Sequence, residues 1–149
     1  MNFRRIWSAV GAGLVLAGSA VLGAAGTAQA DFGSWDNFYG IGSNWHCSGT
    51  AGIDEEPGLL AQECIVVSGT NYQAVTVVRA SQAGNYHIDT ISILSGQAQY
   101  DAYCAGVIAA GTDKACFTPT KAGAAGHSVQ GLAKGPQYSL LWSPSVTLG

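Results

Sequence analysis

The chain carries the segment ECIVVSGTNYQAVTVV at residues 63–78. Two runs rich in β-branched residues, 64–67 and 74–78, flank a stretch of small and polar residues that contains Gly69. β-branched side chains favour strands, and a short Gly-containing connection between two such runs is typical of a β-hairpin. The segment therefore predicts two paired antiparallel strands joined by a four-residue loop, Ser68-Gly69-Thr70-Asn71.

Further strand-like runs follow at intervals of roughly ten residues, separated by Gly-containing turns. The clearest spans residues 86–94, in which Ile88, Thr90 and Leu94 share one face; the others are 99–104, 107–110, 115–118, 127–132 and 138–148. Short strands at this spacing predict an all-β fold, a small antiparallel β-sandwich or barrel with an irregular, aromatic-rich N-terminal segment. A helix over 100–110, which is rich in Ala, is the local alternative. Trp142, in the last predicted strand, is expected in the core.

Residues 1–30 have the features of a secretory signal peptide. A basic start at Arg4 and Arg5 precedes an apolar run from Ala9 to Ala25, and Ala28-Gln29-Ala30 supplies a small-x-small cleavage site. The run is about long enough to cross a bilayer, so a retained anchor is the alternative, but it is rich in Ala and Gly. We expect cleavage to leave one secreted, extracellular β domain, residues 31–149, without a membrane span. The paired arginines leave both the general and the twin-arginine export routes open.

The charge of the expected mature chain bears on its partners. Loss of the two leader arginines leaves four basic residues against nine acidic ones, a formal net charge of −5. Because phosphate neutralisation dominates nucleic-acid affinity, a nucleic acid or an anionic membrane is a disfavoured partner. Few charges among many Gly, Ser, Thr and Ala residues are a composition that we associate with exported bacterial β-proteins.

The four cysteines, Cys47, Cys64, Cys104 and Cys116, all lie after the leader. An even number of cysteines in a small exported domain predicts disulfides, here two. Of the three possible pairings we favour Cys47–Cys64 and Cys104–Cys116, because each closes a short loop. A metal site is the alternative, but the chain has no Cys-x-x-Cys spacing. No cofactor is predicted.

Two groups of residues are candidates for catalysis. His87 and Asp89 are two positions apart in a predicted strand, which places both side chains on one face, as an orienting histidine–carboxylate pair or as a polar strand surface. The acids Asp54-Glu55-Glu56 precede Pro57-Gly58, and we expect them to form a solvated turn. No Gly-x-Ser-x-Gly motif is present. A small secreted hydrolase using His87 and Asp89 is therefore the alternative function.

Four aromatic residues near the expected mature N-terminus, Trp35, Phe38, Tyr39 and Trp45, are the candidate binding residues. Exposed, they would form a platform for a glycan or a protein partner; buried, they would cover one end of the fold. The 104–116 loop, if closed by a disulfide, has the preorganisation that an inhibitor-like contact needs. The favoured function is a secreted, non-catalytic binding protein for an unidentified extracellular protein or glycan.

Overall fold

Two antiparallel sheets make up the part of the chain that the computed structural model describes, residues 34–54 and 56–149. These residues contain no helix and form twelve strands: β1 (Asp36–Asn37), β2 (Trp45–Cys47), β3 (Ala51–Gly52), β4 (Leu59–Ser68), β5 (Asn71–Ala80), β6 (Gly84–Leu94), β7 (Gln97–Ile108), β8 (Asp113–Phe117), β9 (Lys121–Ala122), β10 (Ser128–Lys134), β11 (Leu140–Trp142) and β12 (Val146–Thr147). The predicted all-β sandwich is confirmed. The predicted signal peptide lies outside the described residues.

The two sheets have different strand orders. Sheet I follows the order β1-β8-β5-β4-β2, with β3 also paired to β4 and β9 to β5. Sheet II follows the order β11-β10-β6-β7, with β12 also paired to β10. Within the described ranges, no helix is long and apolar enough to cross a bilayer.

The β4–β5 hairpin is the one that the sequence of residues 63–78 predicts. Its ten-residue strands pair from Leu59↔Ala80 to Ser68↔Asn71, so the loop between them consists of Gly69 and Thr70 alone. The predicted four-residue loop is thus two residues too long. Gly69 has a φ of 58°, a left-handed conformation that a tight hairpin turn requires and that glycine adopts without a Cβ clash.

Strand β7 replaces the helix considered for residues 100–110. Ala102 and Cys104 are buried, whereas Tyr103 between them is exposed, so burial follows a period of two. The strand pairs with β6 along its length, with a register shift between Ser92 and Ile93. Alanine content alone does not decide between helix and strand; the alternating burial against a long partner strand does.

The inner faces of the two sheets form the core. One cluster includes Leu59 and Val78 of sheet I with Tyr86 and Ile88 of sheet II, and a second joins buried side chains of both sheets at the other end; its members are Ile65, Tyr72, Ala74, Val129 and Leu148. The Cys104–Cys116 disulfide connects β7 to β8 and thereby links the sheets, with a Cα–Cα distance of 5.8 Å. The predicted pairing of these two cysteines is confirmed.

A third apolar cluster lies on the outer face of sheet I. It consists of Cys64, Val66, Val75, Val77, Ala115 and Phe117, and the half-buried side chains of Phe38, Trp45 and Cys47 pack on it. Cys47 faces Cys64 directly in the β2–β4 register and forms the second predicted disulfide. The N-terminal aromatic segment is therefore attached as a cover over this face.

Candidate functional site

The four predicted binding aromatics differ in exposure. Trp45 contacts Phe117 edge-on, with ring centroids 6.4 Å apart, and Phe38 lies 6.1 Å from Trp45 on the other side. Trp35 is half-buried, and its indole Nε1 donates a hydrogen bond to the carbonyl of Tyr86 at 3.3 Å. Tyr39 alone of the four is well exposed, at 82%. The structure thus brings Phe38 and Trp45 together as a cover and does not gather the four rings on one exposed surface.

A different exposed surface lies on the outer face of sheet II. Because side chains alternate along a strand, one cross-strand row contains Tyr103, Asp89, Lys134 and Leu140, and the next contains Asp101, Ile91, Leu132 and Trp142. The large side chains at the margins are exposed: Tyr103 48%, Leu140 52% and Trp142 45%. With Tyr138, from the β10–β11 turn, they form what we call the aromatic face: Tyr103, Tyr138, Leu140 and Trp142.

The expectation that Trp142 belongs to the core is wrong. In β11, Leu141 packs against the inner cluster, and the alternation of the strand turns Trp142 outward. Trp142 lies opposite Leu132 of β10, which is itself 9% exposed. Because Leu140, Leu141 and Trp142 are all apolar, the sequence does not indicate which of them faces water. The pairing of β11 with β10 determines it.

Charged side chains occupy the centre of the aromatic face. Asp89 lies opposite Lys134 on one side and Tyr103 on the other. Partial burial raises the pKa of Asp89 above its ordinary value; Lys134 and His87 oppose that rise, and Asp101 adds to it. The Lys134 ammonium also lies 5.0 Å from the centre of the Tyr138 ring, a cation–π distance. Both signs of charge therefore lie between the exposed rings.

His87 and Asp89 both project from the outer face of β6, yet the carboxylate that contacts His87 is that of Glu56. Glu56 Oε1 lies 2.8 Å from His87 Nδ1, and the Glu56 side chain is only 10% exposed. The expectation of a fully solvated acidic turn is therefore wrong for Glu56, although Asp54 is exposed; Glu55 lies outside the described residues. The Gly58 carbonyl accepts a hydrogen bond from the amide of Ser81, which lies in the connection between β5 and β6, so the turn is attached close to the start of β6. No local sequence pattern indicates this long-range approach.

No three His, Cys, Asp or Glu side chains within residues 34–54 and 56–149 converge on a point that could hold a metal ion. No family model, curated protein or solved structure matches the chain. A sandwich fold by itself supports many functions, so the function depends on the chemistry of the exposed site.

Proposed function

We propose that the chain is an exported, non-catalytic binding protein that recognises an extracellular partner through the outer face of sheet II. The signal-like leader supports export. Two disulfides are compatible with an extracellular location, because such bonds persist in oxidising compartments. We propose the aromatic face as the binding site in place of the N-terminal aromatics, because Phe38 and Trp45 pack on the outer face of sheet I.

One observation carries the proposal. The outer face of sheet I around Cys64 and Val75 is covered by the chain's own N-terminal segment, whereas sheet II leaves Tyr103, Leu140 and Trp142 exposed. Isolated exposed apolar side chains are common on soluble proteins, but a set of them on one sheet face is a feature of interaction sites. Tyr and Trp are also the residues that most often dominate binding free energies.

The test measures how much of the purified protein is retained on insoluble extracellular material, collected from a culture of cells that export the protein. The labelled protein and its Tyr103→Ala and Trp142→Ala variants are compared for retention on that material. The control is Leu60→Ala, which removes a 43% exposed apolar side chain from sheet I. We expect each aromatic substitution to weaken retention at least about tenfold and the control to retain normally. Equal retention of all four proteins would contradict the proposed binding face.

Hydrolysis is a second candidate, favoured by the contact between His87 and Glu56. A carboxylate on Nδ1 orients the imidazole and leaves Nε2 as a general base, which is the geometry of histidine-dependent hydrolases. The test is turnover of chromogenic esters and glycosides by the wild type, His87→Ala and Asp89→Asn. If the protein is a hydrolase, the wild type turns over at least one substrate and His87→Ala does not. If it is only a binding protein, the wild type shows no more turnover than His87→Ala.

A further inference from the structure

We infer that the aromatic face binds an uncharged carbohydrate chain. Its sugar rings stack on Tyr103 and Trp142, and its hydroxyl groups donate hydrogen bonds to Asp89 and accept them from Lys134. This inference rests on the proposed binding function and specifies the ligand class. Tyr103 lies on β7 and Trp142 on β11, with β6 and β10 between them. Three strand spacings separate the two margins by about 14 Å, so an extended chain of several sugar rings can contact both.

The charges at the centre of the face favour a carbohydrate over a protein partner. A protein docked across the rings would bury Asp89 and Lys134, and the cores of protein interfaces are depleted in charged residues because desolvation is costly. Sugar hydroxyls can donate to the carboxylate and accept from the ammonium. Both charged groups therefore keep hydrogen-bond partners when water is displaced.

Because charges of both signs lie on the face, they favour a ligand without charge. Three carboxylates lie on or beside the face, those of Glu56, Asp89 and Asp101, against Lys134 and His87. An acidic polysaccharide would meet these carboxylates on a domain whose overall charge is also negative. A cationic ligand would compete with Lys134 for the Tyr138 ring, a contact that the protein already makes internally.

Native affinity electrophoresis provides the test, because the acidic protein migrates toward the anode. Gels contain soluble xylan, mannan, β-glucan or starch, and sedimentation with cellulose and chitin covers insoluble chains. We expect at least one of these polysaccharides to retard or sediment the wild type, and Tyr103→Ala or Trp142→Ala to raise the dissociation constant at least about tenfold. Leu60→Ala is the control, and thermal unfolding confirms that each variant is folded.

Asp89→Asn separates the carbohydrate from hydrophobic docking. It keeps the size of the side chain and removes the carboxylate, so carbohydrate binding should weaken severalfold, whereas purely apolar docking should be unchanged or strengthened. Three results would overturn the inference: no binding to any polysaccharide, binding unaffected by the aromatic substitutions, or binding lost in Tyr39→Ala instead of Trp142→Ala. Failure on all polysaccharides together with Trp142-dependent retention on extracellular material would reject the ligand class while leaving the proposed binding function intact.

Discussion

The carboxyl group of Glu63 and the hydroxyl of Thr76 form a hydrogen bond in the interior of the sandwich. Thr76 Oγ1 donates to Glu63 Oε2 at 2.5 Å, and the same hydroxyl lies 2.6 Å from Thr90 Oγ1 of sheet II. All three side chains are 0% exposed. Burial raises the pKa of Glu63 well above its ordinary value, and the Thr76 hydrogen bond only partly opposes that rise. Burial in the core thus favours the uncharged form of this carboxyl group.

The raised pKa of Glu63 predicts a pH-dependent stability. The unfolded chain releases this proton near pH 4.5, the ordinary glutamate pKa, whereas the folded protein holds it to higher pH. The stabilisation is therefore fully present below the unfolded pKa and is lost as pH rises through the folded pKa. Glu63→Gln removes this titration. Relative to wild type, its free energy of unfolding should increase with pH above that value, by at most about 1.4 kcal/mol per pH unit.

Denaturant titrations of wild type and Glu63→Gln at several pH values between acid and neutral check this dependence. Asp113→Asn is a suitable control, because Asp113 is a surface acid that lies 3.6 Å from Arg79. A difference between wild type and Glu63→Gln that stays constant with pH would show that folding does not raise the pKa of Glu63.

Gly131 provides a second prediction, since it faces Glu63 from the opposite sheet. A Cβ at this position would meet Glu63 Oε1 and would lie 2.7 Å from the backbone oxygen of Cys64. Gly131→Ala should therefore lower the free energy of unfolding by about 1–3 kcal/mol through overpacking. The control is Gly52→Ala, in another strand, where a Cβ would meet nothing within 4 Å. Equal effects of the two substitutions in chemical denaturation would contradict the close approach of the sheets.

The sequence predicts the strands and the disulfides better than it predicts the surface. β-branched runs identify β4 and β5, the alternating pattern of residues 86–94 identifies β6, and short loops favour the observed cysteine pairing. The exposure of Trp142 depends on which strand β11 joins, and the burial of Glu56 depends on the approach of a distant turn to β6. Both are tertiary effects that local patterns do not encode. Residues of the aromatic face come together only through strand register.

The two disulfides are predicted to stabilise different parts of the molecule. Cys104–Cys116 links the sheets, so its replacement by alanines should destabilise the whole described fold by about 3 kcal/mol. Cys47–Cys64 attaches the N-terminal cover, so its replacement should first increase hydrogen exchange within residues 34–50. Hydrogen-exchange mass spectrometry distinguishes the two cases. Uniform exchange across the chain in both double variants would show that the cover is not a separate unit.

Substitutions of Trp45 and Tyr39 distinguish two roles of the N-terminal segment, a structural cover of sheet I and a binding platform. Trp45 packs between Phe38 and Phe117, so Trp45→Ala should lower the free energy of unfolding by about 2 kcal/mol and leave binding at the aromatic face unchanged. Tyr39 is 82% exposed, and Tyr39→Ala should leave the melting temperature nearly unchanged. Thermal unfolding of both variants, combined with the retention assay, measures the two effects separately. If Trp45→Ala instead abolished retention at an unaltered melting temperature, Trp45 would contact the partner directly, and the N-terminal segment would be the binding site.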